Sequence, residues 1–154
     1  MTISPTIRFH FSEKISLKDR QILKSTLTTL FKKEKKKLAE LQYIFCSDHR
    51  LLEINQQFLQ HDYYTDILTF RLSAPNQPVT AEIYISVDRV RENAREFGTT
   101  LKNELLRVIF HGALHLCGYK DNTAKDQAIM RKKEEICLKS YFDSFPVEHF
   151  GNQK

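Results

Sequence analysis

The chain has 154 residues, of which 41% are hydrophobic and 28% are charged, and such a composition is typical of one globular domain with its own core. It has no apolar run near the roughly 18 residues that a membrane span needs, and residues 1–5 lack the basic and apolar regions of a secretory signal. The three cysteines are odd in number and widely spaced, which argues against a disulfide framework or a CxxC site. The sequence therefore predicts a cytoplasmic protein without a membrane segment.

The formal net charge of +5 arises from one segment of the chain. Residues 18–37 contain eight basic residues against Asp19 and Glu34. Two interpretations stay open: a solvated helix end, where lysines suit the helix dipole, or a surface that attracts a polyanion such as RNA. The densest part of this segment is the basic cluster Lys32, Lys33, Lys35, Lys36 and Lys37.

The first half of the chain begins with strand and helix patterns in alternation. Thr6–Phe11 alternates apolar and polar residues, which predicts a strand. Ser16 precedes residues with apolar side chains at helical spacing. Residues 41–46 predict a second strand, after which Ser47 or Asp48 caps a short helix.

The middle of the chain predicts a loop followed by two strands. Residues 60–66 are polar and aromatic and predict a loop. Strands are predicted at 67–72 and 81–86, joined by a turn at 73–80 that contains two prolines.

Helical patterns dominate the C-terminal half. Ser86 or Asp88 is predicted to open a helix that Gly98 ends. Thr100 is predicted to cap the next helix, Leu101–Leu116, which is apolar almost all round and should therefore be buried in the middle of the domain.

A last helix is predicted at 124–142, and residues 144–154 are predicted to be a loose tail after a single domain at 1–143. The fold class that follows is α+β, with a four-stranded sheet and about five helices.

The segment 111–121, HGALHLCGYKD, carries the clearest functional signal. His111 and His115 are four residues apart on a predicted helix and so lie on one face, one turn apart. Gly118 can end the helix in a left-handed conformation, after which Asp121 can return to the histidines. Two imidazoles and a carboxylate form a metal site that leaves a position open for water.

Gly112 stands where the zinc metalloprotease motif has a glutamate that acts as general base. Glycine inside a helix costs about 1 kcal/mol relative to alanine, so something close must favour the missing side chain. A neighbouring backbone or bulky substrate and simple tight packing both explain it. Cys117, inside the same segment, is expected to be a small buried hydrophobe rather than a ligand.

Three blocks of sequence together resemble the YbeY family of metal-dependent endoribonucleases, which mature ribosomal RNA. Residues 111–119 resemble the signature HGxLHLxGY, and residues 81–86 (AEIYIS) resemble the strand GDIxIS. Residues 55–70 resemble the family segment that ends in T-[ND]-V-L-S-F, here TDILTF at 65–70. The resemblance covers most of the chain and implies a zincin-like metal-binding helix.

The resemblance implies hydrolysis of phosphodiester bonds in rRNA maturation and ribosome quality control. One zinc ion on His111, His115 and Asp121 would activate its bound water, with rRNA and the ribosomal subunit or its assembly proteins as partners and no nucleotide cofactor. Asp66 and Glu104 are both candidates for a general base, and neither is assigned. The basic cluster and Lys120 are the predicted RNA-binding residues.

Two positions depart from the family pattern. Asp121 stands where the family usually has a third histidine, and a carboxylate there preserves metal binding while making the site less cationic. Leu59 stands where the family usually has an arginine, which removes a cation that could pair with phosphate.

Three other functions stay open on the sequence alone. A non-catalytic ribosome-assembly factor with a structural metal would use the same basic surface. A metalloprotease shares the ligand spacing but lacks the base at Gly112. A non-haem iron oxygenase also uses two histidines and one carboxylate.

Overall fold

A computed structural model describes residues 4–60 and 65–146. In chain order, the elements are β1 (Thr6–Phe11), α1 (Arg20–Lys33), β2 (Leu38–Cys46), α2 (Asp48–Leu59), β3 (Ile67–Arg71), β4 (Val79–Ser86), α3 (Val87–Phe97), α4 (Leu101–Leu116) and α5 (Ala124–Asp143). Within the described ranges these are five helices and four strands, and they confirm the predicted α+β class. Most of the predicted loop at 60–66 and most of the predicted tail lie outside the described residues.

The four strands form one sheet in the order β1-β2-β4-β3. Strands β1, β2 and β4 are parallel, whereas β3 runs antiparallel to β4. The helical connections between β1, β2 and the following elements suit parallel pairing, which needs long crossovers. Strand β3 follows α2, occupies one border of the sheet and leads into β4 through a turn.

The helix boundaries follow from the caps that the sequence predicts. The hydroxyls of Ser47, Ser86 and Thr100 each accept a hydrogen bond from the backbone N–H three residues later, which satisfies a donor that the helix itself leaves unpaired. Gly98 ends α3 with a φ of 65°, a conformation that costs glycine little.

The starts of α1 and β2 differ most from the prediction, and β4 begins at Val79 and not at 81. Helix α1 begins at Arg20, four residues after Ser16, because Asp19 adopts a left-handed conformation with a φ of 56° that no helix continues. Strand β2 begins at Leu38 and not at 41, since Leu38 pairs with Val79 across an irregularity in the register. Pairing partners far along the chain therefore lengthen this strand.

Helix α4 lies in the middle of the molecule, as its apolar composition predicts. It packs against α3 and α5 on its sides and against β3 and β4 beneath, with ten of its sixteen residues buried. The hydroxyl of Tyr43 on β2 donates a hydrogen bond of 2.8 Å to the carbonyl oxygen of Ile109. This bond ties the middle of the helix to the sheet.

None of the helices in the described part of the chain combines the length and the apolar character that a membrane crossing requires.

Candidate metal centre

The two predicted histidine ligands face each other at the C-terminal end of α4. Their ring centroids are 4.6 Å apart, and the two Nε2 atoms are 3.0 Å apart. His111 and His115 are partly buried, because the helix that carries them is covered on three sides while its last turn opens to a cleft.

Asp121 joins the two histidines through a turn after α4. Gly118 follows the helix with a φ of 106°, which is a left-handed conformation that glycine adopts without a side-chain penalty. The Oδ2 atom of Asp121 then lies 3.2 Å from Nε2 of His111 and 3.3 Å from Nε2 of His115. The structure therefore brings together all three residues of the predicted ligand set, and the group could hold a metal ion.

The hydrogen bonds behind the histidines fit a cation at this point. Nδ1 of His115 donates to the carbonyl oxygen of Tyr119 at 2.9 Å, so the neutral ring presents a lone pair at Nε2. Nδ1 of His111 contacts Oε2 of Glu134 at 2.5 Å, which leaves its Nε2 lone pair facing the same point. Two lone pairs and a carboxylate oxygen converge, and a metal ion satisfies all three.

Glu134 connects His111 to a network of buried charges. Its carboxylate is 2% exposed and accepts a 3.2 Å hydrogen bond from Nη1 of Arg107. Burial by itself lowers the pKa of His111, but the hydrogen bond and charge of Glu134, with the charges of Asp66 and Asp121, raise it above the ordinary value. Surroundings that favour positive charge on the ring also favour a cation beside it.

Glu104 is held by the same network and does not line the cleft at the metal centre. It is 2% exposed, and its two oxygens accept hydrogen bonds of 2.9 and 2.6 Å from the guanidinium of Arg107. Such bidentate pairing positions a carboxylate firmly. Glu104 therefore has a structural role in the network.

Asp66 lies in the cleft beside the metal ligands. Its Oδ2 atom is 3.9 Å from Nη2 of Arg107. Burial raises the pKa of the Asp66 carboxyl, while the charges of Arg107 and His111 oppose that rise. Asp66 directly precedes β3, as the sequence predicts. No catalytic role is assigned to it.

Gly112 is explained by close packing between α4 and the sheet. A Cβ atom at this position would lie 2.9 Å from Cδ1 of Ile67 and 3.0 Å from side-chain atoms of Ile83. Position 112 therefore points at β3 and β4, and the structure supports tight packing as the explanation for the glycine.

The metal ligands line a cleft of about 650 Å³. Its opposite wall is β3 with the residues just before it, and Leu59 and Lys36 also border it. Arg71 lines the cleft too, but its guanidinium donates to the carbonyl oxygens of Ala74 and Gln77 in the turn after β3. The lining residues are Lys36, Leu59, Thr65, Asp66, Ile67, Leu68, Thr69, Arg71, His111, His115, Leu116, Gly118 and Asp121.

Comparison with known proteins places this sequence in one family. The family model described as endoribonuclease YbeY matches residues 7–142. The chain belongs to the endoribonuclease YbeY family. This membership confirms the resemblance that the three sequence blocks indicate.

Relatives in the YbeY family resemble the chain over most of its length. A protein named endoribonuclease YbeY from Cytophaga hutchinsonii is 48% identical over 132 residues, which cover 84% of this chain and 92% of the relative. One of the same name from Flavobacterium psychrophilum is 41% identical, covering 88% of this chain and 96% of the relative. The solution structure of TM1509 from Thermotoga maritima matches with a TM-score of 0.62 at 34% identity and covers 90% of each chain.

The predicted RNA-binding lysines are exposed, but only one of them lines the cleft. Lys36 borders it, whereas the other four members of the basic cluster lie around the end of α1 and the turn that follows. Lys120 is exposed on the loop between Gly118 and Asp121 and does not line the cleft. Within the described residues, none of these six lysines has an ion-pair partner.

Glu34 links the basic cluster to the loop between α4 and Asp121. The hydroxyl of Tyr119 donates to the carboxylate of Glu34, with distances of 3.0 and 3.1 Å to its two oxygens, and Nζ of Lys133 lies 3.7 Å from it. Because the carbonyl of Tyr119 also orients His115, this loop contacts both a metal ligand and Glu34, which lies between the lysines of the cluster. The cluster is therefore held beside the site.

Sequence reasoning missed Glu134 and Arg107, although both left a signal. The buried residues of α5 are Met130, Glu134, Cys137 and Tyr141, so a carboxylate occupies the apolar stripe of this helix. Arg107 stands in a helix that is otherwise apolar near its centre. Charges at such positions require buried partners, but the sequence does not say which partners they meet.

Proposed function

We propose that this chain is a zinc-dependent endoribonuclease that hydrolyses phosphodiester bonds during rRNA maturation and ribosome quality control. One observation carries the proposal: in a member of the endoribonuclease YbeY family, two imidazole nitrogens and a carboxylate oxygen converge on one point in an open cleft. Zinc suits a donor set of nitrogen and carboxylate oxygen, and three protein ligands leave one position free for reaction.

The residues of the metal centre and their hydrogen-bond partners have defined tasks in this proposal. His111, His115 and Asp121 hold the metal, and Glu134 with the carbonyl of Tyr119 keep the two rings in the orientation that binding needs. When bound, the metal supplies Lewis-acid activation of water and of a phosphoryl oxygen. No side chain is assigned as general base.

The neutralising role of the missing family arginine falls to lysine in this proposal. Leu59 borders the cleft with an apolar side chain, so it offers no charge to a phosphate. Lys36 borders the same cleft and lies within the basic cluster, which continues the positive surface beyond it. Ribosomal RNA, on a ribosomal subunit or with its assembly proteins in the cytoplasm, is the proposed partner of this surface.

Elemental analysis followed by an RNA assay tests the function directly. The purified protein should contain about one zinc ion per chain, and it should cut ribosomal RNA in a reaction that chelator stops and zinc restores. A metal-loaded protein that binds RNA and leaves it intact would favour the assembly factor with a structural metal. Cleavage of protein substrates instead would favour the metalloprotease, and iron as the resident metal the oxygenase.

The basic cluster should contribute affinity for RNA without sequence preference. Replacing Lys32, Lys33, Lys35, Lys36 and Lys37 by glutamine should weaken RNA binding. It should also flatten the dependence of affinity on salt by about 0.7 in log–log slope for each phosphate of a single strand that the variant no longer neutralises. Filter binding of an rRNA fragment over a salt series measures both. Lys125→Gln with Lys132→Gln, on α5 and outside the cleft, is the control. An unchanged slope would reduce the cluster to a solvated helix end.

Asp121 should act as the third metal ligand. Asp121→Ala leaves two protein ligands and should lower zinc affinity by more than about 100-fold, the upper end of what loss of a mere supporting partner causes. Asp121→His should retain zinc, because imidazole is an equally good ligand. Zinc content and chelator competition of the three proteins side by side decide the matter. Equal affinity in Asp121→Ala and the parent would exclude Asp121 from the ligand set.

A further inference from the structure

Strand β3 has a free backbone edge that the metal centre does not use. It is the last strand in the sheet order and pairs with β4 alone. Among the described residues, no other strand lies beyond it. Because a strand can hydrogen-bond on both sides, the outer N–H and C=O groups of β3 are left without a backbone partner among the described residues.

The register identifies which residues point outward. Residues in an antiparallel pair alternate between those that exchange hydrogen bonds with the partner and those that face away from it. The N–H of Ser86 donates to the carbonyl of Asp66, and the N–H of Leu72 donates to the carbonyl of Thr80. The same alternation pairs residues 68 and 70 with β4, so the N–H and C=O groups of residues 67, 69 and 71 point to the free edge.

Thr69 is the central residue of this edge. The carbonyl of Ile67 already accepts a hydrogen bond from the hydroxyl of Thr65, and Arg71 is drawn into the turn by its guanidinium. Within the described ranges, no backbone bond occupies the outward groups of Thr69. Its N–H and C=O therefore offer one donor and one acceptor side by side.

This edge lies across the cleft from the metal ligands. Five consecutive residues from Thr65 to Thr69 line the same cleft as His111, His115 and Asp121. The contact of Gly112 with Ile67 shows how close the strand lies to the metal-binding helix, since even one added carbon would meet Ile67 at 2.9 Å. An RNA strand that places a phosphodiester at the metal would occupy this cleft, of which β3 forms one wall.

We propose that the outward N–H and C=O of Thr69 hydrogen-bond to the edge of a nucleobase next to the scissile phosphodiester; the proposal rests on the endoribonuclease function above. A phosphate only accepts hydrogen bonds, so the outward carbonyls oppose phosphate binding along this edge. A nucleobase carries donors and acceptors side by side and matches the alternation. The base must be unpaired, because a paired base has its pairing edge occupied and its other edge lies in the deep, narrow major groove of an RNA helix.

Proline at position 69 tests the donor without changing the pairing of β3. Proline has no N–H, and it is tolerated on a border strand where that N–H faces outward. Thr69→Pro should lower kcat/KM for an RNA oligonucleotide about three- to tenfold, the worth of one neutral hydrogen bond. Thr69→Val keeps the N–H and the branched shape, so the difference in kcat/KM between the proline and valine variants isolates the contribution of the N–H. Removing the base beside the cleavage site takes away both hydrogen bonds, so it should cost the parent more than Thr69→Pro does, and it should cost the proline variant less than the parent because only the bond to the C=O is left to lose.

Four outcomes are decisive. If the metal-loaded parent cuts no RNA, the proposed function fails and the base contact fails with it. If the parent cuts RNA and a folded Thr69→Pro cuts it equally well, or if the proline and abasic effects multiply independently, only the base contact fails. An extended peptide that competes with RNA and needs the Thr69 N–H would assign the edge to a protein partner and overturn the proposal. If Thr69→Pro melts at a lower temperature than Thr69→Val, the proline variant is replaced in the comparison by an amide-to-ester change at Thr69, which removes the same N–H.

Discussion

Replacing His115 by alanine should empty the metal site and reduce RNA cleavage to the level of the chelated parent. Its Nε2 atom lies 3.0 Å from that of His111 and 3.3 Å from Asp121, so the change removes one of three converging donors. We expect zinc affinity to fall by more than about 100-fold, beyond the effect of losing a supporting partner. Metal content after dialysis and the rate of rRNA cleavage measure the two losses.

A histidine outside the metal centre provides the matched control for this experiment. His49 is exposed on α2 and its side chain is 80% accessible, so His49→Ala should keep both metal and activity. Circular dichroism should show both variants folded, because His115 sits at the edge of the core and not within it. A fully metal-loaded His115→Ala protein would show that the cleft binds its metal through other residues.

Local signals in the sequence were sufficient for most of the fold. Helix α4 begins after Thr100 and ends at Leu116 as predicted, because a capping hydroxyl and a run of apolar residues act over one or two turns of chain. The start of β2 was wrong by three residues, since Leu38 becomes a strand residue only by pairing with Val79. The start of α1 was wrong because nothing in the sequence marks Asp19 as left-handed. Boundaries set by distant partners or by rare backbone angles are the ones that local patterns miss.

The same distinction applies to the metal centre. His111, His115 and Asp121 lie within eleven residues of chain, so helix geometry and the turn at Gly118 predict that their side chains meet. Glu134 approaches His111 from another helix, 23 residues along the chain, and no local pattern links the two. The basic cluster is visible in the composition, but only the tertiary structure shows that Lys36 alone among its members reaches the cleft.

Glu134 should prove to be a positioning residue for the metal ligand His111. Its carboxylate contacts Nδ1 of the ring at 2.5 Å and is nearly inaccessible to solvent. Glu134→Gln keeps an oxygen that accepts from Nδ1 but removes the charge, and we expect zinc affinity to fall about tenfold. Glu134→Ala removes both and should cost about 100-fold, the range found for partners that orient metal-bound histidines. Chelator competition measures the affinities.

The alanine variant should also destabilise the fold, and the two effects can be separated. Without Glu134, Nδ1 of His111 and Nη1 of Arg107 lose a buried partner, which costs about 1–3 kcal/mol of unfolding free energy. A purely structural role would lower the melting temperature equally with and without zinc. A positioning role also shrinks the rise in melting temperature that zinc causes, because that rise follows the affinity. Glu135→Gln, on the exposed neighbour, should change neither quantity. A folded Glu134→Ala protein that gains as much stability from zinc as the parent would show that the ring of His111 is held by α4 alone.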